Sequence, residues 1–269
     1  MEALVNTLVR RSLTALLTLA ALTTVSAPAQ AINYGVDDDG AHPYVVLVAM
    51  FDADDEYIGR CSGSLLAADV VLTAAHCTDG AEYARIFLEE NLEGVAFATS
   101  DLYDATGEPH AMPGWTGALT TPDTHDLGIY TLDTELVVER YATVAPLRTL
   151  DELATKRGTR DTYFTTVGYG LQQRKPYLVN QPKRMYAVSD LINLRSNLVD
   201  GVGLQTTNNP GDGRGGNCSG DSGGPILWQD SDVIVAVNSF GLNNTCKGND
   251  FAYRVDTEAA QAFILPFLA

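Results

Sequence analysis

The sequence predicts an all-β protein of short antiparallel strands, and three observations carry that reading. Short apolar runs recur from Tyr44 to Val255. Gly, Pro, Asn and Asp punctuate them throughout. Helical patterning is confined to the C-terminal end and one short internal stretch. This combination favours antiparallel sandwiches or barrels over alternating β/α units. The chain has 269 residues, enough for one compact unit or two small halves sharing a core. Hydrophobic residues make up 45% and charged residues 19%, a balance that fills a core and excludes wholesale disorder.

The first 31 residues stand apart. Arg10 and Arg11 precede an apolar run from Leu13 to Val25, and small residues close the segment at Ala29-Gln30-Ala31. This is the layout of a secretory signal peptide cleaved after Ala31. The run is shorter than the ~20 residues needed to span a bilayer. The expected product is a secreted, extracellular chain with no membrane segment in its mature form.

The strands follow in order. Tyr44 to Phe51 is one apolar strand. Ser64 to Leu66 and Val70 to Thr73 flank the turn Ala67-Ala68-Asp69. Further strands are expected at Leu127 to Leu132, Tyr163 to Val167, Tyr186 to Val188, Val233 to Val237 and Ala252 to Val255. A closing helix follows. Asp256 or Thr257 caps it, Glu258 suits the positive end of its dipole, and Ala259 to Leu265 run up to Pro266. A shorter helical stretch around Leu150 to Lys156 is polar and reads as a linker. It divides the mature chain into halves at 32–150 and 151–269.

The formal net charge is −17 and the sequence pI about 4.4. Such a chain repels nucleic acid and anionic membrane, so neither is an expected partner. Four cysteines, Cys61, Cys77, Cys218 and Cys246, imply two disulfides in an oxidising compartment. Of three connectivities, the local pairs Cys61–Cys77 and Cys218–Cys246 cost the least entropy to close. No metal is expected, because neither C-x-x-C nor H-x-x-x-H occurs. The acidic loop with Glu89, Glu90 and Glu93 reads as solvated. Gly211 to Gly216 fits G-x-G-x-x-G without the strand and helix that a phosphate cradle needs. Asn243-Asn244-Thr245 is a glycosylation sequon. No cofactor is expected.

Gly220-Asp221-Ser222-Gly223-Gly224 is the most informative stretch. A serine between glycines can sit on a tight turn with its hydroxyl exposed. The same pattern marks the nucleophile elbow of α/β-hydrolases, but those enzymes place their histidine after the serine. Here His42, His76, His110 and His125 all precede Ser222. The order Asp…His…Ser belongs to a helix-rich α/β fold, for which this chain has too few helices. His…Asp…Ser remains. His76 is the best base, because the run Val70 to Ala75 delivers it and Cys77 can pin it. Asp126 opens the apolar segment Leu127-Gly128-Ile129-Tyr130, and as a buried carboxylate it needs a partner such as an imidazolium. Asp123 is the rival, read as a solvated turn residue.

With these residues assembled, the chain resembles the chymotrypsin/trypsin family of serine endopeptidases. The resemblance rests on Leu72 to Cys77, Asp126 to Ile129, Val167 to Gly170, Gly216 to Pro225 and Ser239-Phe240-Gly241, in that order. It runs from about Ile32 to the C-terminus. It implies two six-stranded antiparallel β-barrels with a short C-terminal helix and a cleft between the barrels. It implies that Ser222 attacks a peptide carbonyl, His76 carries the proton and Asp126 orients His76. The N–H groups of Gly220 and Ser222 would form the oxyanion hole. Polypeptide substrates and a monomer are expected.

The resemblance also implies an activation pair between a freed Ile32 α-amino group and Asp221. Cleavage after Ala31 would release the enzyme active, whereas cleavage after Ala29 would leave it latent. Ser239-Phe240-Gly241 resembles the strand that pairs with substrate backbone, with Phe240 where Trp is usual. Gly216 occupies the pocket-floor position at which trypsin-like members carry Asp. Asp250 would lie near the opposite wall, either supplying a displaced charge or standing as a solvated turn residue. A catalytically dead relative that acts by binding, and a hydrolase of small esters, are the rival functions.

Overall fold

The computed structural model describes residues 32–154, 162–209 and 214–269. The expected signal peptide, Lys156 of the expected linker helix and Gly211 to Gly213 lie outside the described residues.

The first half begins with β1 (Val36–Asp37) and β2 (Val45–Phe51). β2 is buried along its whole length, because both faces of this run are apolar and it lies between two neighbours. Then come β3 (Tyr57–Ala67), β4 (Val70–Thr73), β5 (Tyr83–Phe87), β6 (Ala105–Ala111) and β7 (Gly128–Leu132). β2 to β7 close into a six-stranded antiparallel barrel in the order β2-β3-β4-β7-β6-β5. Val45, Leu47, Leu65, Leu72, Ile86 and Ile129 are among the side chains that fill it.

β8 (Thr143–Val144) leaves the first barrel and pairs in parallel with the second. The second half contains β9 (Tyr163–Gly168), β10 (Met185–Asn193), β11 (Gly203–Asn208), β12 (Pro225–Trp228), β13 (Val233–Gly241) and β14 (Gly248–Arg254). The path β10-β11-β14-β13-β12-β9 closes through β9–β10 pairing, giving a second six-stranded antiparallel barrel. Phe164, Leu191, Leu204, Ile226 and Val235 pack its core. The chain is therefore all-β and chymotrypsin-like in fold.

The closing helix α1 (Glu258–Ile264) begins where expected. Thr257 caps it, its Oγ1 accepting from the N–H of Ala260 at 3.2 Å. A 3-10 turn over Leu265–Leu268 carries Pro266. Among the described residues of the expected linker helix, a single 3-10 turn spans Asp151–Leu153. Leu150 and Leu153 are buried in the second core, so this stretch packs as part of that barrel.

Several strands exceed their expected length, and four of the longer ones were not expected. β6, Ala-Thr-Gly-Glu-Pro-His-Ala, shows why. It pairs with β5 only through Ala105 to Gly107, and beyond that with β7 alone. Pro109 falls where β6 has one neighbour, so its missing N–H disrupts no second ladder. β11 is polar in sequence yet largely buried, lying between β10 and β14, and Asn208 at its end is hydrogen-bonded to Asn33, Asn217 and Asp250.

Candidate active site

β4 ends at Thr73, and a 3-10 turn at Ala75–Cys77 presents His76 at the rim of the first barrel. A disulfide joins Cys61 of β3 to Cys77, so His76 is tied down on its C-terminal side. Asp126 precedes β7 and has no solvent exposure. Its carboxylate takes the backbone N–H of His76 at 2.9 Å and meets His76 Nδ1 at 2.9 and 3.1 Å. Ser239 Oγ donates to Asp126 Oδ2 at 2.5 Å. The buried carboxylate is thus satisfied by three groups and fixes the imidazole through Nδ1, which leaves Nε2 as the ring nitrogen available for proton transfer.

Asp123 is half exposed and accepts from the hydroxyl of Tyr253 at 2.9 Å. It makes no bond to His76. Of the other histidines, His42 pairs with Asp38 and His110 with Thr131.

Ser222 lies between β11 and β12, in the turn where the second barrel meets the first. Gly223 has φ +80° and donates to Asn238 O at 2.9 Å. A Cβ there would meet Thr73 Oγ1 at 2.0 Å and Ser62 O at 2.4 Å, so only glycine lets the turn approach the strand that delivers His76. Ser222 O accepts from Ser62 N at 2.8 Å. Asp221, Gly223 and Gly224 all donate their N–H groups within the turn or to β13. Among the described residues no acceptor takes the N–H of Gly220 or Ser222. These are the two donors that the sequence reading assigned to an oxyanion hole.

A cleft of about 180 Å³ adjoins this turn, lined by Asn217, Ser222, Ser239, Phe240, Gly241 and Asp250 among others. Cys218 and Cys246 form the second disulfide at its edge. Phe240 stacks on Phe251 with ring centroids 4.7 Å apart. Asp250 is buried, not a solvated turn residue: it accepts from Asn217 N at 2.6 Å and from Asn208 Nδ2 at 2.8 Å. Burial pushes its pKa up to about 7 despite those bonds.

Asp221 is fully buried and accepts from Gly170 N at 2.7 Å and Cys218 N at 2.8 Å. Burial lifts its pKa to about 7. A Cβ on Gly170 would meet Asp221 Oδ2 at 2.3 Å, which explains the glycine-aromatic-glycine turn at 168–170. Ile32 is also buried, with its carbonyl accepting from Gly35 N at 2.7 Å. Here Ile32 is still joined to Ala31, so its nitrogen is an amide and not the amine expected to pair with Asp221.

The acidic loop is partly occupied by its own neighbours. Glu90 takes the N–H of Gly40 at 2.8 Å and faces Arg184 Nη2 at 3.4 Å, and Glu93 accepts from Gln181 Nε2. The sequence reading missed the polar network beneath the pocket. Asn33 Nδ2 donates to Asn208 Oδ1 at 3.1 Å, and Asn238 and Asn217 bond to each other and to Thr166. Asparagines 175 residues apart carry no local signal of such a contact.

Comparison with known proteins shows the family and the fold. Brachyurin of Leptuca pugilator is 26% identical over 203 residues, covering 72% of this chain and 80% of its own. The solved structure of HL collagenase superposes with a TM-score of 0.64 at 17% identity, covering 89% of this chain and 98% of that one. A variant of human heparin binding protein superposes with a TM-score of 0.61 at 19% identity, covering 88% of this chain and 95% of that one. At such identities the two structures speak for the fold alone. The family model for trypsin matches residues 36–264. The chain belongs to the trypsin family and is a trypsin/chymotrypsin-like serine endopeptidase.

Proposed function

We propose that this chain is a secreted, catalytically active endopeptidase in which Ser222 is acylated by the substrate, His76 is the general base and Asp126 orients it. The observation that carries the reading is the satisfied array around Asp126. Its carboxylate is buried, holds both the amide and Nδ1 of His76, and is braced by Ser239. The imidazole accepts the Ser222 proton through Nε2 as the hydroxyl oxygen bonds to the carbonyl carbon. It returns that proton to the departing amine. Water then repeats the sequence on the acyl-enzyme and releases the acid. The unclaimed N–H groups of Gly220 and Ser222 receive the charge that develops on the carbonyl oxygen.

Labelling with a fluorophosphonate tests the assignment. The mature protein should label at Ser222 and digest casein, and Ser222→Ala should do neither. Failure of the wild-type chain to label would instead favour a binding protein. Labelling without casein digestion, together with turnover of small esters, would favour an esterase.

Asp250 is proposed as the selectivity charge of the pocket. It sits in the cleft wall where Gly216 leaves the floor without a carboxylate. Ionised, it favours Arg or Lys next to the scissile bond. Protonated, it leaves a neutral pocket faced by Phe240 that accepts apolar side chains. Release of Ile32 by cleavage after Ala31 is proposed to supply the amine that pairs with Asp221. The buried carboxyl supports this: its hydrogen bonds come from the backbone N–H groups of Gly170 and Cys218, and burial raises its pKa to about 7 although the Arg60 cation works the other way. N-terminal sequencing of active secreted protein checks it, and a mature start at Gln30 with full activity would refute it.

A further inference from the structure

Ser62, one residue past Cys61 on β3, has no solvent exposure, and each of its polar groups reaches another segment of the cleft. Its N–H donates to Ser222 O at 2.8 Å. Its carbonyl accepts from Thr73 Oγ1 at 2.9 Å. Its hydroxyl accepts from Tyr169 N at 2.9 Å and donates to Gly220 O at 2.9 Å. Three glycines of the second barrel close around it. A Cβ on Gly168 would come 3.0 Å from Ser62 Oγ, one on Gly224 3.2 Å from Ser62 Cβ, and one on Gly223 2.4 Å from Ser62 O.

The two carbonyls that Ser62 holds belong to Gly220 and Ser222. These are the same two residues whose N–H groups find no acceptor among the described residues. The rest of the turn is fixed by other means. The Asp221 carboxylate gathers Gly170 N and Cys218 N, and Gly223 N is bonded to Asn238 O. Gly220 has φ +99° and no side chain, so the orientation of its carbonyl depends on partners outside the residue: the Ser62 hydroxyl, and the Asp221 N–H of the same peptide, which donates to Cys218 O at 3.0 Å. Of these two, the Ser62 hydroxyl is the one that reaches from the first barrel, and it is in turn oriented by Tyr169 N–H.

We propose that Ser62 is a positioning residue for the oxyanion turn: its hydroxyl, held between Tyr169 N–H and the Gly220 carbonyl, keeps the N–H groups of Gly220 and Ser222 turned toward the cleft. This rests on the assignment of Ser222 as nucleophile. Donors of this kind act only when preset in the geometry of the tetrahedral intermediate, and a buried carbonyl that has lost its donor drives the turn to seek another partner. The effect falls on the transition state and spares binding of the ground state.

The test is Ser62→Ala in the mature enzyme, assayed with a peptide substrate and with a peptide boronic acid that forms a tetrahedral adduct. The expected result is a fall in kcat of about 10-fold with KM within about twofold of wild type. Boronate affinity should weaken by a similar factor, and affinity for the cleaved peptide product should not change. Ser62→Gly, which also lacks the hydroxyl, should show the same split and serves if the alanine variant does not fold. A folded variant with kcat within twofold of wild type, or a loss confined to KM, would overturn the role of Ser62. Fluorophosphonate labelling of the wild type separates the two levels. A wild type that does not label brings down the nucleophile assignment and this proposal with it. A wild type that labels, beside a Ser62 variant with undiminished turnover, brings down this proposal alone.

Discussion

The carboxylate of Asp250 rests against the bare Cα of Gly216, where a Cβ would meet Asp250 Oδ2 at 2.5 Å. The same Cβ would lie 2.5 Å from Asn208 Cγ. The missing side chain on one wall of the pocket is therefore the space that the acid from the other wall occupies. Gly216→Ala forces a methyl into this network and should lower stability by roughly 1–3 kcal/mol, the usual cost of overpacking a well-filled interior. Thermal unfolding of the Ser222→Ala protein with and without Gly216→Ala measures it, and an unchanged Tm would contradict the close contact.

Asp250 also predicts a selectivity that changes with pH. Its pKa of about 7 means that the carboxyl is largely neutral at pH 5.5 and largely ionised at pH 8.5. The ratio of kcat/KM for an Arg substrate to that for a Phe substrate should rise across this range. Taking the ratio cancels the titration of the catalytic groups common to both. In Asp250→Asn the ratio should be low and flat. A ratio independent of pH in the wild type would remove the displaced charge from the account.

The same carboxyl bears on stability. Its folded pKa lies above its ordinary value of 3.8, so between about 4 and 7 the folded state holds a proton that the unfolded state has lost. Its contribution is complete below that window and disappears as pH rises through 7. Asp38 acts in the opposite sense. Burial raises it, but His42 and Arg184 outweigh burial and hold it below 3.8, so its contribution is lost as pH falls through that depressed value. In the Ser222→Ala background, Asp250→Asn should reduce the loss of Tm between pH 5 and pH 8. An identical pH dependence with and without the substitution would contradict the raised pKa.

Ser239 donates to the Asp126 carboxylate proposed to orient the base, and no other side-chain hydroxyl does so among the described residues. Ser239→Ala should cost about 10-fold in kcat, the scale of one hydrogen bond to a charged acceptor. Steady-state kinetics on a small peptide amide would show it, and kcat unchanged within twofold would mean that Asp126 is positioned without it.

Replacing Cys61 and Cys77 by Ser opens a loop with a sequence separation of 16. Chain-entropy reasoning puts the loss near ~3 kcal/mol. Turnover should fall as well, because His76 and Ser62 each adjoin one of the two cysteines. Calorimetry and kinetics on the double variant test both effects, and a variant with full turnover would show that the 3-10 turn alone fixes His76.

Most of the candidate site is legible in sequence because its chemistry is written locally. A serine among glycines, a histidine after an apolar run and an aspartate before one each carry their own signal. The disulfides were legible for a related reason, since short loops close most readily. The fold class followed from punctuation and strand length, whereas strand ends and the polar strands did not. β6 carries a proline that is tolerated only because one of its sides is bare at that point. β11 looks like a loop until Asn208 is seen bonded to Asn33, Asn217 and Asp250. Asp250 was placed near the pocket by counting along a strand. Its burial depends on Gly216 and Asn217 from a distant segment, which no single stretch of sequence reveals.

Asn33 reaches from the segment that follows Ile32 to the amide that holds Asp250. The carbonyl of Asn208 faces Asn33, which obliges its NH₂ group to face the acid. The residues just downstream of the proposed processing point are thus structural neighbours of the pocket proposed to select substrates. If the chain is processed and selects substrates as proposed, ragged trimming would leave a mixture whose members differ in taste as well as in speed. Digest patterns from separated isoforms would carry a record of where each one had been cut.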